Sequence, residues 1–327
     1  MILVRTPLRI CIGGGGTDLS AYASKHGGYV VSAALDKFVY VILNRHFGDN
    51  YLLKYSMSEQ VSAVYEIQHP VVRTVFKLLG IEGGVEMTTF MDVPGRTGLG
   101  SSSSFTVALL QAAYTLIGQI VSKRELAEKA VYVERALLKE AGGVQDQFIA
   151  AYGGIQVLEI AETGNVDISP LDIAPDVLHD LEGRLIIFYT GIQRESYPVQ
   201  AEVTNNLQSS EKTVSYLHRV KEIGKESAKA LSKGDLDEFG RLMDRHWHEK
   251  RHMADSISSS HIDELYELGK RHGALGGKLI GAGGGGFLMF YCPGNRTDLR
   301  EAMLAQGLRE LRFRFDSRGS TVVANLS

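Results

Sequence analysis

Glycine is what most constrains this chain. It supplies 36 of the 327 residues, against an ordinary share of about 7%. The glycines come in clusters: GGGG at 13–16, G-x-x-G-x-G at 95–100, pairs at 142–143 and 153–154, and GAGGGG at 281–286. Between clusters the sequence has ordinary complexity, so this is not a low-complexity chain. A run of glycines costs backbone entropy and is kept where the chain turns tightly or approaches something closely. Several separate loops therefore need that freedom.

The scaffold between the loops is mixed. Stretches 1–12 and 29–44 (YVVSAALDKFVYVILN) are rich in β-branched and aromatic residues and predict strands, as do 154–160, 184–190 and 286–292. Apolar periodicity predicts helices over 101–118, 123–140, 205–232, 235–255 and 260–273. In the second of these, Leu126, Ala130, Val133 and Leu137 share one face. Residues 169–183 hold Pro170 and Pro175 with mixed charge and give the boundary between two domains, 1–180 and 181–327. The fold class is α/β (α+β).

Charge excludes some partners. A formal charge of −3 and a pI near 6.4 leave no electrostatic footprint for nucleic acid or an anionic membrane. The longest apolar segment, 106–121, is interrupted by Gln111 and Gln119 and reads as a buried helix rather than a membrane span. MILVRTPLRICI has no basic tip ahead of an apolar stretch, so the expectation is no signal peptide and a cytoplasmic location. Cys11 and Cys292 lie inside apolar runs and are expected as reduced core residues.

The stretch VPGRTGLGSSSS (93–104) has the glycine spacing of a Walker A loop, but Ser101 and Ser102 stand where lysine and Ser/Thr belong. A turn of this kind leading into a helix gathers backbone N–H groups at the positive end of the helix dipole, where phosphates bind without a side-chain cation. Its plain structural reading is a glycine turn with a serine cap, yet one cap needs one serine. Asp146 stands between two glycine pairs in AGGVQDQFIAAYGG, and Glu134 lies on the helix before it. Taken singly, these two read as a helix cap and a solvated helix face. The glycines of GKLIGAGGGGF (277–287) favour ligand contact over a flexible loop.

Three motifs in order, PLRICIGGGGTDLSAY, PGRTGLGSSSS and KLIGAGGGGF, resemble the three signatures of the GHMP kinases, over residues 7 to about 290. The GGGTD form resembles the D-glycero-D-manno-heptose 7-phosphate kinase branch. Galactokinase has Glu-His in place of the last two of those glycines, which argues against galactose. The resemblance implies a ribosomal S5-like N-terminal domain and a C-terminal ferredoxin-like domain, with ATP and a sugar phosphate meeting between them. It implies that Pro94, Gly95, Arg96, Gly98, Leu99, Gly100, Ser101, Ser102 and Ser103 hold the ATP phosphates, and that Ser102 and Glu134 ligate Mg²⁺. Asp146, twelve residues after Glu134, resembles the catalytic base, and Arg9 would stabilise the transferring phosphoryl group. Asp18 would hold sugar hydroxyls with Gly15, Gly16, Thr17 and Gly143, while Gly283, Gly284 and Gly285 line the cleft. Arg194, Lys250 and Arg251 are the cations available to a phosphate on the substrate. The expected reaction is transfer to the anomeric hydroxyl of that heptose 7-phosphate, with another sugar such as fucose as the alternative.

Two other classes compete with this one. HEKRH (248–252) is a literal H-E-x-x-H, the pattern of a zinc peptidase. Its two intervening residues are cationic, though, and no third ligand is convincingly placed downstream, Glu264 and Glu267 being candidates. The plainer reading is a charged helix face with Trp247 in the core. A sensor that binds sugar or ATP without turnover would be expected to lose Asp146, Glu134 and Ser102, and all three are present. A dimer stays open.

Overall fold

The structure, a computed structural model, describes residues 1–193 and 196–326. It opens with β1 (Ile2–Gly13), α1 (Ser20–His26) and β2 (Gly28–Arg45), followed by β3 (Tyr51–Lys54), β4 (Ser58–Val61), α2 (Pro70–Leu78) and β5 (Val85–Met91). Next come α3 (Ser101–Leu116), α4 (Lys123–Val131), α5 (Gln145–Tyr152), β6 (Ile155–Ile160), β7 (Val166–Pro170) and α6 (Pro175–Arg184). The remainder is β8 (Leu185–Tyr189), α7 (Ser196–Ser209), α8 (Glu211–Ser232), α9 (Leu236–Lys250), α10 (Ser260–Arg271), β9 (Gly276–Leu279), β10 (Phe287–Tyr291), α11 (Arg296–Ala305), β11 (Arg309–Leu311) and β12 (Thr321–Asn325).

The first sheet is organised by β2, whose 18 residues outreach any single neighbour. One edge of β2 pairs antiparallel with β1. Its other edge pairs first with β6 through residues 28–33 and then with β5 through residues 39–45. β3 adds to β5 in parallel, β4 to β3, and β7 to β6. α3 covers β1 and β2. Phe105, Val107, Leu109, Leu110 and Ala113 are all buried, which is what a helix apolar on nearly every side requires.

The second sheet has the order β11-β8-β10-β9, all antiparallel. With helices between β8 and β9 and again between β10 and β11, this is the split βαβ pattern of a ferredoxin-like layer. The expected boundary at 180 falls inside α6. Pro170 ends β7, and Pro175 opens α6 in its first turn, where its missing N–H costs nothing. β12 does not stay with the second sheet. It returns to pair antiparallel with β1, so the segment expected as a single C-terminal unit, 181–327, finishes in the first sheet.

Two expected helices are interrupted. The helix over 123–140 is α4, started by a reciprocal Ser122–Glu125 cap, and then a π-helical turn over Tyr132–Leu137. The helix over 205–232 is split between α7 and α8 at Ser210, whose hydroxyl accepts from Thr213 N and starts a new helix. α9 stops at Lys250, five residues short of its expected end.

Candidate active site

Arg9 lies on β1 and Asp146 in the first turn of α5. The guanidinium Nε and Nη2 each donate to one Asp146 oxygen at 2.7 Å, a bidentate ion pair, and Nη1 donates to Gly98 O at 2.6 Å. One arginine thus ties the strand to the Asp146 helix and to the glycine loop. In that loop Arg96, Gly98 and Gly100 all have φ near +60 to +90°, and Gly100 opens α3 from the left-handed region. A side chain at Gly98 would stand 2.6 Å from Ile280 O, and one at Gly281 would stand 2.6 Å from Gly98 Cα. The second and third glycine motifs are therefore packed back to back, and neither tolerates a Cβ at the contact.

Glu134 sits in the π-helical turn and is 1% exposed. Its Oε2 accepts from Ser103 Oγ at 2.9 Å and Gln147 Nε2 at 2.6 Å, and Arg135 is 3.6 Å away. Its Oε1 is buried without a hydrogen-bond partner among the described residues. Burial pushes the Glu134 carboxyl above the usual range, against the pull of Arg135. A buried carboxylate oxygen left open beside the glycine loop suits a hard cation. Ser102 is exposed and borders the same cavity. No group of three or more His, Cys, Asp or Glu among the described residues could hold a metal. Mg²⁺ does not require one, because it keeps waters and takes phosphate oxygens as ligands.

Asp18 is 3% exposed and turns toward backbone rather than open space. It accepts from Gly16 N, Val144 N, Gln145 N and Gln145 Nε2, and burial raises its carboxyl above the usual range. A Cβ on Gly143 would lie 1.9 Å from Asp18 Oδ2, so only glycine allows this grip on the loop leading to Asp146.

Two cavities meet at the Arg9–Asp146 pair. The outer one, about 720 Å³, runs along Gly95–Ser103 and Glu134 to a wall made by Tyr55, His69 and Phe105. That is the size of a small-molecule site. The inner one is bounded by Gly15, Gly16, Asp18 and Gly143 on one side and by Lys250, Lys278 and His246 on the other. Arg9, Arg135, Asp146, Gln200, Gly281 and Ala282 border both.

Most residues singled out in the sequence converge here, with exceptions. Thr17 is buried and bonds Gly14 O and Tyr29 O, so it shapes the turn from behind. Leu99 is in the core and meets the site only through its carbonyl, which accepts from Arg9 N. Pro94 is exposed and its carbonyl accepts from Thr97. Gly283 and Gly285 pack on Ile257 and Ile192, and Gly284 N donates to Ile257 O, so Gly281 and Ala282 border the cleft in place of 283–285. Arg194 lies outside the described residues. Arg251 stands 3.7 Å from Asp263.

In HEKRH, His248 is on α9 and bonds Asp244 O, whereas His252 follows the helix end and stacks on Tyr216, so the two do not share a helix face. Cys11 and Cys292 are free and buried, and no described helix is long and apolar enough to cross a membrane.

Sequence reasoning passed over Lys278, His246, Gln147 and the Tyr55–His69–Phe105 wall. Lys278 stood inside a quoted glycine motif and Gln147 beside Asp146. The wall comes from three separate segments and left no pattern.

The family models for the GHMP kinases N terminal domain and the GHMP kinases C terminal match residues 63–154 and 227–308. Together they take in more than half of the chain, and the chain belongs to the GHMP kinases. The relatives it matches within that family include sugar kinases. It is 27% identical to the D-glycero-alpha-D-manno-heptose 7-phosphate kinase of Campylobacter jejuni, over 92% of this chain and 93% of that one. It is 26% identical to the bifunctional fucokinase/GDP-fucose pyrophosphorylase of Arabidopsis thaliana, over 87% of this chain and 29% of that longer one. A crystal structure of a D-glycero-D-manno-heptose 1-phosphate kinase from Bacteroides thetaiotaomicron has the same fold, with a TM-score of 0.83 and 22% identity over the whole of both chains.

Proposed function

We propose that the protein transfers the γ-phosphoryl group of ATP to the anomeric C1 hydroxyl of D-glycero-D-manno-heptose 7-phosphate, giving the 1,7-bisphosphate. The observation that carries this is the meeting of two cavities at one ion pair: a glycine loop on the outer side and a polar, cation-bordered pocket on the inner side, with Arg9 and Asp146 between them. The likeness to the Campylobacter jejuni heptose 7-phosphate kinase supports the choice of sugar.

On this reading the backbone of 95–101 and the N-terminus of α3 cradle the ATP phosphates. Ser102 and Glu134 hold Mg²⁺, which supplies positive charge toward the transferring group. Arg9 holds the Asp146 carboxylate in place through two hydrogen bonds, and stands beside the loop where charge accumulates during transfer. Asp146 accepts the proton of the attacking hydroxyl. Asp18 and Gly143 fix the loop that presents Asp146. Phosphoryl transfer rests mainly on positioning and charge neutralisation, and these residues provide both.

The likeness to fucokinases supports a second reading, an anomeric kinase of an unphosphorylated sugar such as fucose. An ATP-consumption assay over heptose 7-phosphate, free heptose, fucose, galactose and mannose separates the two. Phosphorus NMR then locates the new ester. Efficient turnover of fucose with none of the heptose phosphate would sink the first reading.

A further inference from the structure

The inner cavity holds more positive charge than the transfer reaction uses. Lys278, on β9, is 2% exposed, and among the described residues its ammonium has one hydrogen-bond partner, His246 Nδ1 at 3.3 Å. Lys250, at the end of α9, donates to Leu279 O and Gly281 O. Neither lysine has a carboxylate within ion-pair distance among the described residues. The acids of the pocket are committed elsewhere, Asp146 to Arg9 and Asp18 to the 144–145 backbone. His246 is 1% exposed, and its Nε2 is buried without a partner. With Lys278 as the ammonium, Nδ1 accepts from it and the neutral ring carries its proton on Nε2, an unused donor.

Buried ammonium groups without counter-charge are costly. Burial, then the neighbouring Lys278, lowers Lys250 to about 7. Burial likewise lowers Lys278, and together with the two lysines it holds His246 well below its usual value. A group of this kind held against a cavity favours an anion there. Three nitrogen donors converging from two elements match the oxygens of a phosphate monoester.

We propose that Lys278, Lys250 and His246 form the seat for a phosphate monoester dianion carried by the acceptor sugar, away from its reacting hydroxyl. This rests on the function proposed above and names the groups that select its phosphorylated substrate. The dianion restores the charge of the lysines and takes the Nε2–H of His246. Lys278 and His246, far apart in sequence, thereby become specificity residues of the acceptor.

The test compares wild type with Lys278→Met, Lys278→Arg and His246→Gln. The first readout is the ratio of kcat/KM for heptose 7-phosphate to that for free heptose. Loss of one charged hydrogen bond should lower the ratio by roughly 10- to 100-fold, with the KM for ATP changed less than about threefold and part of the preference kept in Lys278→Arg. The second readout is calorimetric titration with inorganic phosphate, with Mg²⁺ and a non-hydrolysable ATP analogue saturating the donor side. Wild type should bind phosphate and Lys278→Met should not. A folded Lys278→Met with wild-type preference and wild-type phosphate binding overturns the seat and leaves the proposed function standing. If wild type ignores heptose 7-phosphate, the function reading fails, and the phosphate titration alone decides the seat: no binding to wild type overturns it. Should Lys278→Met not fold, His246→Gln is read by the same two measurements.

Discussion

Asp146→Asn tests the centre of the site, and it is not a silent replacement. Two charge-assisted bonds of 2.7 Å join Asp146 to Arg9. In the variant one amide oxygen still accepts, but the amide nitrogen faces a guanidinium nitrogen, donor against donor. Arg9 is 6% exposed, so water replaces the lost acceptor poorly. A hydrogen bond to a charged group is worth about 1.5–3 kcal/mol. The Asp146 side chain is 23% exposed, which favours the lower end, about 2 kcal/mol. The unfolding temperature should fall by a few degrees on that account. Turnover should fall by roughly 10²–10⁴-fold through loss of the base, while the KM for ATP stays within a few-fold. Thermal unfolding and steady-state kinetics read both effects. Adding Arg9→Met to Asp146→Asn should cost less than the two single changes summed, because the unpaired buried charge is gone. A single variant with wild-type kcat removes Asp146 from the chemistry. A double variant whose effects simply add removes the ion pair from the account of stability.

Glu134→Gln and Ser102→Ala should each raise the Mg²⁺ concentration needed for half-maximal rate, with partial rescue at high Mg²⁺; an unchanged Mg²⁺ titration would show that the residue is not a ligand. Gly143→Ala drives a Cβ to 1.9 Å from Asp18 Oδ2 and must dislodge that carboxylate. The KM for the sugar should rise about tenfold or more while the KM for ATP scarcely moves, for a shift of about 1.4 kcal/mol. Equal kinetics would mean that Asp18 does not govern the loop. Lys250 titrates near 10.5 when unfolded and about 7 when folded. Between those values the unfolded chain binds the proton and the folded one does not. Ligand-free stability should therefore gain up to about 1.4 kcal/mol per pH unit from this group as pH rises from 7 toward 10. Lys250→Met should flatten that slope in denaturant titrations, and an identical pH profile would contradict the lowered pKa.

The strongest sequence patterns were those with a single period. α3, β1 and β2 follow from runs of apolar or β-branched residues. The π-helical turn around Glu134 was hidden because Leu126, Ala130, Val133 and Leu137 keep helical spacing whether or not one turn is widened. The break at Ser210 depends on one hydroxyl choosing a backbone amide, which no periodicity reports.

Lys278 and His246 failed for a different reason. HWHEKRH reads as a charged surface. Yet Met243, His246, Trp247 and Lys250 recur at i, i+3, i+4 and i+7, the spacing of an inward face. A scan for apolar residues skips two of those four. The glycine motifs announced the site, but which glycines face the cleft was set by contacts such as Gly283 on Ile257 that only the folded chain makes.

The pairing of β12 with β1 has a consequence for how the enzyme comes into being. β1 carries Arg9 and is synthesised roughly 300 residues ahead of its partner on that edge, Thr321–Asn325. Until then one row of β1 backbone groups stays unpaired, a template for another chain. At ordinary elongation rates of roughly 5–20 residues per second, that edge waits some tens of seconds. The strand that carries Arg9 thus keeps an open edge through most of synthesis. A shortened chain lacking residues 321–325 would keep every glycine motif and still carry that open edge for its whole life.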